Sequence, residues 1–288
     1  MAIYSNDRIC MVAGANRGIG YATALGLARQ GWRVVLVCRN LERGEQARQE
    51  IIQQTDNVHV DLLIADLSSQ RSTEHLAQAF LNRYDRLDVL INNQTAIFEQ
   101  REVSVDGVEM NFALSHLSYF HLTHLLLEAL KASPGGRIIN IAAEVHRNAK
   151  INFDDLFFET AYDPLLPYFQ AKLGNILFTY ELARRLAETH VVSNCLHPGA
   201  IDTQALWAVR TIHSKQTGKD LNKDYAPVRP LEAGAETPLY LATSDEVAGM
   251  TGLYFIDKQP ARSSDESYDL EVARRLWEIS VEMVSIRA

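Results

Sequence analysis

A tyrosine and a lysine stand four residues apart in the segment Tyr168-Phe169-Gln170-Ala171-Lys172. On an α-helix, side chains at positions i and i+4 share one face, so the Lys172 ammonium can lie beside the Tyr168 phenol. A free phenol has a pKa of about 10 and donates protons slowly near neutral pH, and a neighbouring cation lowers that pKa. The spacing therefore predicts a proton-transfer pair, with Tyr168 as acid or base and Lys172 as its electrostatic partner.

A glycine-rich turn follows the first apolar run of the chain and opens an amphipathic segment. Glycines at a strand-to-helix turn let the backbone turn sharply and approach an anion closely, while the helix N-terminus offers unpaired N–H groups. The spacing is GxxxGxG rather than GxGxxG, and a plain tight loop is the alternative interpretation. The residues that we predict to bind a pyrophosphate are Gly14, Asn16, Arg17, Gly18, Ile19 and Gly20.

The second predicted strand ends at Cys38-Arg39-Asn40, where dinucleotide-binding folds usually contact the adenosine ribose. An acidic residue there binds a free 2′-hydroxyl, whereas Arg39 offers a cationic fork to a 2′-phosphate. Arg17 can supply a second cation. We therefore predict NADP(H) as the cofactor, with Arg39 and Asn40 in its site. The alternative is that both arginines are solvated surface charges.

Short apolar strands alternate with amphipathic helices along the chain. The predicted strands are 9–13, 33–38, 58–64, 87–92, 137–142, 191–196 and 253–256, and the predicted helices are 20–30, 42–53, 72–84, 108–132, 168–189, 231–242 and 270–284. This alternation is typical of an α/β fold, a doubly wound parallel sheet of Rossmann type with about seven strands and helices on both faces. We predict one domain over residues 1–288, with a possible lid at 204–230, which is polar and lacks a clear period.

Composition excludes several classes of protein. The chain has 288 residues, 47% of them hydrophobic, and a net charge of −8, which argues against nucleic acid as a partner. The three cysteines are widely spaced in apolar runs, so we expect neither disulfides nor a metal site, and a reducing cytoplasm fits best. Because no membrane-spanning or apolar N-terminal segment is found, we expect a soluble cytoplasmic protein without membrane contact.

These motifs together resemble the short-chain dehydrogenase/reductase family, and within it the retinol-dehydrogenase-like members. The resemblance implies hydride transfer between a nicotinamide cofactor and an alcohol or carbonyl, with Tyr168 exchanging the proton and Lys172 also holding the cofactor ribose. It further implies a homodimer or homotetramer, since family members often associate through the two helices that begin here near residues 108 and 168. Further cofactor-binding residues that it implies are Asp66, Leu67, Asn92, Asn93, Pro198, Gly199 and Thr203.

Two catalytic positions depart from the family pattern. The serine expected after the fifth strand falls on Ala143, preceded by Ala142, and the expected asparagine falls on Ser115, with Asn111 one turn earlier. Losing one preorganised hydrogen-bond donor typically lowers the rate by about 10²–10³-fold. We keep Ser115 as a third catalytic candidate. The donors that can replace the serine are Ser115, Thr95, Gln94, His146 and a protonated Glu144.

Two functions stay open on this basis. The first is an NADP(H)-dependent oxidoreductase acting on a small apolar or polycyclic carbonyl or alcohol. The second is a cofactor-binding protein without ordinary redox turnover, which catalyses a rearrangement or cyclisation or serves as a binding partner. The aromatic segment 153–162 either walls an apolar substrate pocket or packs against the domain, and the apolar stripe of 270–284 suits core or subunit contact.

Overall fold

Residues 8–221 and 223–285 are described from a computed structural model. Its strands are β1 (Ile9–Ala13), β2 (Arg33–Cys38), β3 (Val60–Ile64), β4 (Val89–Asn92), β5 (Arg137–Ile141), β6 (Val192–His197), β7 (Tyr254–Ile256) and β8 (Gln259–Ala261). They form one sheet in the order β3-β2-β1-β4-β5-β6-β7-β8. All neighbours pair in parallel except β7 and β8. The doubly wound fold is confirmed, while residues 1–7, 222 and 286–288 of the predicted domain lie outside the described residues.

Helices cover both faces of the sheet. They are α1 (Gly18–Arg29), α2 (Leu41–Thr55), α3 (Gln70–Leu81), α4 (Met110–Phe112), α5 (Ser118–Leu125), α6 (Leu127–Lys131), α7 (Leu166–Arg185), α8 (Gln204–Thr217), α9 (Leu231–Thr243) and α10 (Leu270–Ser285). One apolar core lies between the sheet and α3, α5 and α7, and a second lies between the sheet and α1 and α9. Within the described ranges, no helix combines the length and apolar character needed to cross a bilayer.

The eighth strand exceeds the predicted number by one. It returns antiparallel to β7 through Asp257 and Lys258, whose φ angles are +47° and +66°. Two consecutive residues with positive φ are typical of the tight turns that join hairpin strands. Pro260 is tolerated because β8 lies at the edge of the sheet. The strand has only three residues, so its sequence carries no detectable alternation.

The predicted helix 108–132 is not continuous. Between α4 and α5 the chain makes a π-helical turn, Ala113–Leu117, which places Ser115 at its centre, and α5 and α6 are separated at Leu126. Inserted π turns are rare and occur frequently at functional sites. The apolar period of the sequence does not reveal the insertion, because the segments on both sides of it are helical.

The segment 204–230, predicted as a possible lid, forms a helix over its first half. Helix α8 begins after Thr203, whose Oγ1 accepts a hydrogen bond from the Leu206 amide at 3.2 Å, and ends at Gly218 with a φ of +74°. Only Arg210 and Ile212 of this helix are buried, which explains its weak apolar period. Near its end, α8 contacts both the loop that follows β4, through Lys215 and Glu99, and the loop that precedes α7, through Gln216 and Asp163.

Helix α10 belongs to the core of its own chain. The Trp277 ring contacts the rings of Phe120 on α5 and Phe178 on α7, with centroids 4.9 Å and 5.9 Å away. Ser280 Oγ lies 3.1 Å from His116 Nε2 in the π turn. The side of α5 and α7 that carries Phe120 and Phe178 is therefore covered by α10. A dimer that used this side would have to displace that helix.

Candidate active site

The glycine turn sits where the order of the sheet reverses, between β1 and β4. Gly14 and Gly18 have φ angles of +70° and +59°, and Asn93, just after β4, donates from Nδ2 to the Gly14 carbonyl at 3.1 Å. A Cβ on Gly20 would lie 2.3 Å from that same carbonyl oxygen. The turn is therefore closed by direct backbone contact, at the position where open α/β sheets bind ligands.

The N-terminus of α1 is open to an anion. Arg17 precedes the helix without forming a side-chain cap, and the first turn contains no acidic residue. In contrast, α2, α3 and α8 are capped by Asn40, Ser69 and Thr203. The first N–H groups of α1 thus lack the side-chain acceptor that those helices have, and the helix dipole favours negative charge there. Asn16, Gly18, Ile19 and Gly20 fit the pyrophosphate of a dinucleotide.

Two cations lie beside this turn. The Arg39 side chain is 77% exposed and stands 4.0 Å from Asp66 Oδ2, a separation at which a solvated ion pair is weak. Arg17 Nη1 donates to Gln204 Oε1 on α8. The position of Arg39 therefore leaves its guanidinium accessible to a 2′-phosphate. Asn40 differs, since its Oδ1 accepts the Arg43 amide at 2.9 Å and so caps α2.

Several other predicted cofactor residues have side chains that serve the protein itself. Asp66 Oδ1 accepts from Ser68 Oγ at 2.6 Å, and the Leu67 side chain is buried in the core. Asn92 Nδ2 donates to Asn140 Oδ1 at 2.9 Å and to Thr123 Oγ1 on α5 at 3.1 Å, so this side chain is occupied between the sheet and that helix. Contacts of Leu67 or Asn92 with a cofactor would therefore come from their main chains.

The loop after β6 reaches the glycine turn from the other side. Pro198 and Gly199 begin this loop, and Gly199 has a φ of +96°. Thr203 ends it, and a Cβ built on Gly18 would lie 3.7 Å from Thr203 Cγ2. The structure thus brings Thr203 next to the predicted pyrophosphate site.

Tyr168 and Lys172 lie on α7 at the carboxyl edge of the sheet. Both are buried, with 7% and 1% of their surface exposed. Lys172 Nζ donates to the Ile141 carbonyl at the end of β5 at 2.9 Å and lies 5.8 Å from the centroid of the Tyr168 ring. It lies 5.5 Å from the ring of Tyr119, a residue that the sequence analysis did not identify. The predicted proximity of the phenol and the ammonium is present.

The electrostatics of the pair differ from the prediction. Burial lowers the pKa of Lys172 to about 7 and raises the pKa of Tyr168. The expected lowering of the Tyr168 pKa is therefore wrong for the protein chain by itself, because desolvation disfavours both charged forms. The consequence is a phenol that holds its proton near neutral pH beside an amine that exchanges its proton there.

Replacing Lys172 with methionine is expected to abolish a rise in stability with pH. In the folded chain the Lys172 pKa is about 7, against an ordinary value of 10.5, so the unfolded chain binds more protons between these values. The free energy of unfolding then increases with pH across this range. Above about pH 9, ionisation of buried thiols such as Cys10 in the unfolded chain acts in the opposite direction, because burial raises the pKa of Cys10 in the folded chain.

Urea denaturation without cofactor at about pH 7 and about pH 8.5 tests this expectation. Lys131→Met, at a partly exposed position, is the control, and equal pH dependence of wild type and Lys172→Met would contradict the expectation.

Two of the proposed substitutes for the missing serine are unsuitable. His146 Nδ1 donates to the Ala143 carbonyl at 2.7 Å, and its Nε2 accepts the Ser264 amide at 3.1 Å, so the neutral ring has no free donor. Burial disfavours ionisation of Glu144, but Arg147 and Tyr254 outweigh it and hold the pKa of that carboxyl below its usual value. Glu144 is ionised and cannot donate, so both predictions were wrong.

The remaining candidates cluster after β4 and in the π turn. Thr95 Oγ1 lies 2.9 Å from Ser115 Oγ, and Gln94 Nε2 donates to Ser118 Oγ at 2.7 Å. Asn111 is not part of this cluster, because its amide donates to Glu109 Oε1 at 2.8 Å. Of these two residues, Ser115 is the one whose side chain contacts the loop after β4, and its catalytic role stays a prediction.

The aromatic segment before α7 packs against the domain. The Phe157 ring meets the Phe112 ring with centroids 5.5 Å apart, and the Arg275 guanidinium of α10 lies 4.1 Å from the Phe153 ring centroid. Tyr162 donates to the Phe98 carbonyl at 3.0 Å and ties this segment to the loop after β4. These contacts fit the interpretation that the segment packs against the domain, and not the alternative that it forms the wall of an apolar substrate pocket.

The fold and the site define an α/β dinucleotide-binding protein with a tyrosine–lysine pair at the carboxyl edge of its sheet. The chain belongs to the short chain dehydrogenase family, whose model matches residues 8–213. It is 40% identical to human retinol dehydrogenase 13 over 281 residues, covering 96% of this chain and 85% of that protein. It is 41% identical to mouse retinol dehydrogenase 14 over 294 residues, covering 98% and 87%.

Solved structures agree with this assignment. A protein from Mycobacterium paratuberculosis has 29% identity and a TM-score of 0.78, covering 97% of this chain and 94% of that chain. A short chain dehydrogenase from Shigella flexneri, complexed with NADP, has 23% identity and a TM-score of 0.68, covering 88% and 98%, and shows the fold alone. The predicted family and fold class are confirmed, and the chain is an oxidoreductase of this family that uses a nicotinamide cofactor.

Proposed function

We propose that the protein interconverts an apolar alcohol and its carbonyl compound with NADP(H). The observation that carries the proposal is the buried Tyr168–Lys172 pair, in a family whose glycine turn is intact here and opens an uncapped helix. Two relatives are named retinol dehydrogenases, so retinal, an apolar aldehyde, is the first substrate to test.

Some residues of the site would bind the cofactor, and Tyr168 would transfer the proton. The glycine turn and the first N–H groups of α1 would hold the pyrophosphate, Arg39 the 2′-phosphate and Lys172 the nicotinamide ribose. When bound, NADPH supplies a hydride to the carbonyl carbon. Tyr168 keeps its phenolic proton near neutral pH because burial raises its pKa, and it donates that proton to the carbonyl oxygen.

A second candidate function is supported by Ala143. The position at which the family pattern has a serine carries no hydrogen-bonding side chain. A protein that keeps the cofactor site and Tyr168 but loses that donor suits a non-redox rearrangement or cyclisation, with Tyr168 as proton donor, or a role as a cofactor-bound partner.

A titration followed by a turnover assay separates the two candidates. Calorimetry with NADPH and NADH measures binding, and NADPH absorbance is then followed after addition of all-trans-retinal and a panel of aldehydes and ketones. Tight NADPH binding with loss of absorbance supports the reductase. Tight binding without loss supports the non-redox candidate, and absence of binding overturns both.

Replacing Arg39 with alanine is expected to reduce NADPH affinity by about 10–10²-fold and leave NADH affinity unchanged. The lost interaction is a charge-assisted hydrogen bond to phosphate, worth about 1.5–3 kcal/mol. Calorimetric titration with both cofactors measures the ratio of affinities. Arg43→Ala, at an exposed position on α2, is the matched control. An unchanged NADPH to NADH ratio in Arg39→Ala would contradict the assignment of NADP(H).

A homodimer or homotetramer and a cytoplasmic location complete the proposal. The free thiols of Cys10, Cys38 and Cys195 are buried in the fold, which supports a reducing compartment. Since α10 covers the side of α5 and α7 that carries Phe120 and Phe178, we place the subunit contact on another surface. Light scattering of the full chain measures the subunit number.

A further inference from the structure

The missing serine leaves the substrate oxygen with one hydrogen-bond donor fewer than the family pattern provides. His146 and Glu144 cannot supply it, for the reasons given above. The Gln94 side chain is only 6% exposed and is directed towards Ser118. The pair formed by Thr95 and Ser115 is what remains of the predicted candidates.

The two hydroxyl groups of this pair carry two protons, and the hydrogen bond between them uses only one. Thr95 Oγ1 and Ser115 Oγ share a single hydrogen bond of 2.9 Å, and neither oxygen has another hydrogen-bond partner in the described part of the chain. Ser115 is completely buried, whereas Thr95 is partly exposed. When Ser115 donates to Thr95, the proton of the Thr95 hydroxyl is left for a third group on the accessible side.

A short series of contacts connects Thr95 to the proton-transfer pair. Its neighbour Gln94 accepts a hydrogen bond through its carbonyl from the Tyr119 hydroxyl at 3.1 Å, and that hydroxyl lies 3.5 Å from the Ile141 carbonyl. Lys172 Nζ donates to the same Ile141 carbonyl at 2.9 Å. Asn92, the last residue of β4, pairs with Asn140 of the neighbouring strand β5. Thr95 and Ala143 each lie three residues beyond that pair, in the loops that follow these two strands.

We propose that the Thr95 hydroxyl, oriented by Ser115, donates to the substrate oxygen the hydrogen bond that residue 143 cannot provide. This inference rests on the proposed function. In reduction, hydride from NADPH forms the new C–H bond and leaves NADP⁺, while the carbonyl π pair moves to oxygen and takes the proton of Tyr168. Thr95 keeps its own proton and stabilises the negative charge that develops on oxygen. Ser115 is a positioning residue.

The kinetic test uses Thr95→Val, which removes the hydroxyl with little change of shape. We expect kcat for all-trans-retinal reduction to fall by about 10²-fold, with NADPH affinity within about twofold of wild type. Thr95→Ser, which keeps the hydroxyl, is expected to retain most of kcat. Adding Ala143→Ser to Thr95→Val restores the donor at the family position and is expected to recover at least about tenfold in kcat.

A spectroscopic test needs no turnover. All-trans-retinal bound with NADP⁺ cannot be reduced, and resonance Raman reports its C=O stretch, which moves to lower frequency when the oxygen accepts a hydrogen bond. We expect Thr95→Val to raise this frequency, Thr95→Ser to leave it unchanged, and Ser115→Ala to raise it by a smaller amount.

The outcomes separate this inference from the function on which it rests. If wild type reduces retinal or a panel carbonyl and Thr95→Val retains both kcat and the C=O frequency, the role of Thr95 is overturned and the proposed function stands. If Thr95→Val loses NADPH binding in parallel with kcat, Thr95 is structural and the inference is again overturned. If wild type binds NADPH but reduces no carbonyl, the proposed function fails and the inference fails with it.

Discussion

Replacing Tyr168 with phenylalanine is expected to lower kcat by about 10³-fold while NADPH affinity stays within about twofold. The substitution removes one oxygen from a ring that is 7% exposed, so packing on α7 is kept and the proton donor is lost. General acid catalysis contributes about 10²–10⁴-fold to rate, and Tyr168 is the acid that the proposed mechanism assigns to the substrate oxygen. Single-turnover decay of NADPH absorbance with retinal, together with calorimetric titration, measures both quantities.

A second tyrosine on the same helix provides the control for this prediction. Tyr180 is buried and its hydroxyl lies 2.8 Å from Ser263 Oγ, away from Lys172. Tyr180→Phe is expected to lower stability by about 1 kcal/mol through the lost hydrogen bond and to leave kcat unchanged. A Tyr168→Phe protein that kept more than about a tenth of wild-type kcat would show that water or another group is the acid.

The Tyr168 variant also bears on the non-redox candidate. A rearrangement or cyclisation that needs Tyr168 as proton donor would lose its rate in Tyr168→Phe although NADPH is never consumed. A protein that acts only as a cofactor-bound partner would keep its function. The same variant therefore distinguishes catalysis from binding, whichever reaction the wild type performs.

The parts of the site that the sequence predicts are the local ones. The glycine turn, its helix and the Tyr168–Lys172 spacing depend on neighbours within a few residues, so type and spacing suffice to identify them. The strands before Gly14 and Arg39 are continuous apolar runs buried on both faces, which also makes them visible in sequence.

The parts that were missed depend on tertiary contacts. His146 accepts a hydrogen bond from the amide of Ser264, a residue 118 positions away, which the sequence around His146 cannot reveal. The π turn around Ser115 depends on packing between helices and is likewise not visible in the local sequence. The reversed direction of the Tyr168 pKa has the same origin, because the depth of burial of both groups cannot be read from an i, i+4 spacing. Tyr119 gave no signal, since a buried aromatic residue on an apolar helix is ordinary core.

The departures from the family pattern are grouped in space. Ala143 loses a hydroxyl at the end of β5, while Thr95 and Ser115 add two at the end of β4 and in the facing π turn, 2.9 Å apart. We infer from this grouping that one donor has been exchanged for another within the same site, because independent loss of function would not be expected to place two hydrogen-bonded hydroxyls beside the vacated position. This argument favours the reductase over the non-redox candidate.

Replacing Gly20 with alanine is expected to reduce NADPH affinity by about 10²–10⁴-fold. The new Cβ would lie 2.3 Å from the Gly14 carbonyl oxygen and 2.5 Å from Asn93 Nδ2. The first of these is a backbone atom that cannot turn aside, so the turn has to open and at least two N–H donors leave the pyrophosphate. Each charge-assisted hydrogen bond contributes about 1.5–3 kcal/mol, which gives the expected range. Calorimetric titration with NADPH measures it.

Gly26→Ala, about two turns later on the same helix, is the control. It shows how much of the change in NADPH affinity would follow from any glycine-to-alanine substitution in α1. A Cβ there would meet Leu239 Cδ1 at 2.5 Å, the far end of a flexible side chain, while the helix gains about 1 kcal/mol from the better helix former. Gly26→Ala is therefore expected to alter stability without changing NADPH affinity. Because strain at Gly20 also costs about 1–3 kcal/mol of stability, affinity is compared at a temperature where both variants are folded. Wild-type affinity in folded Gly20→Ala would mean that the cofactor does not use this turn, and the assignment of the nucleotide site would have to be abandoned together with the mechanism built on it.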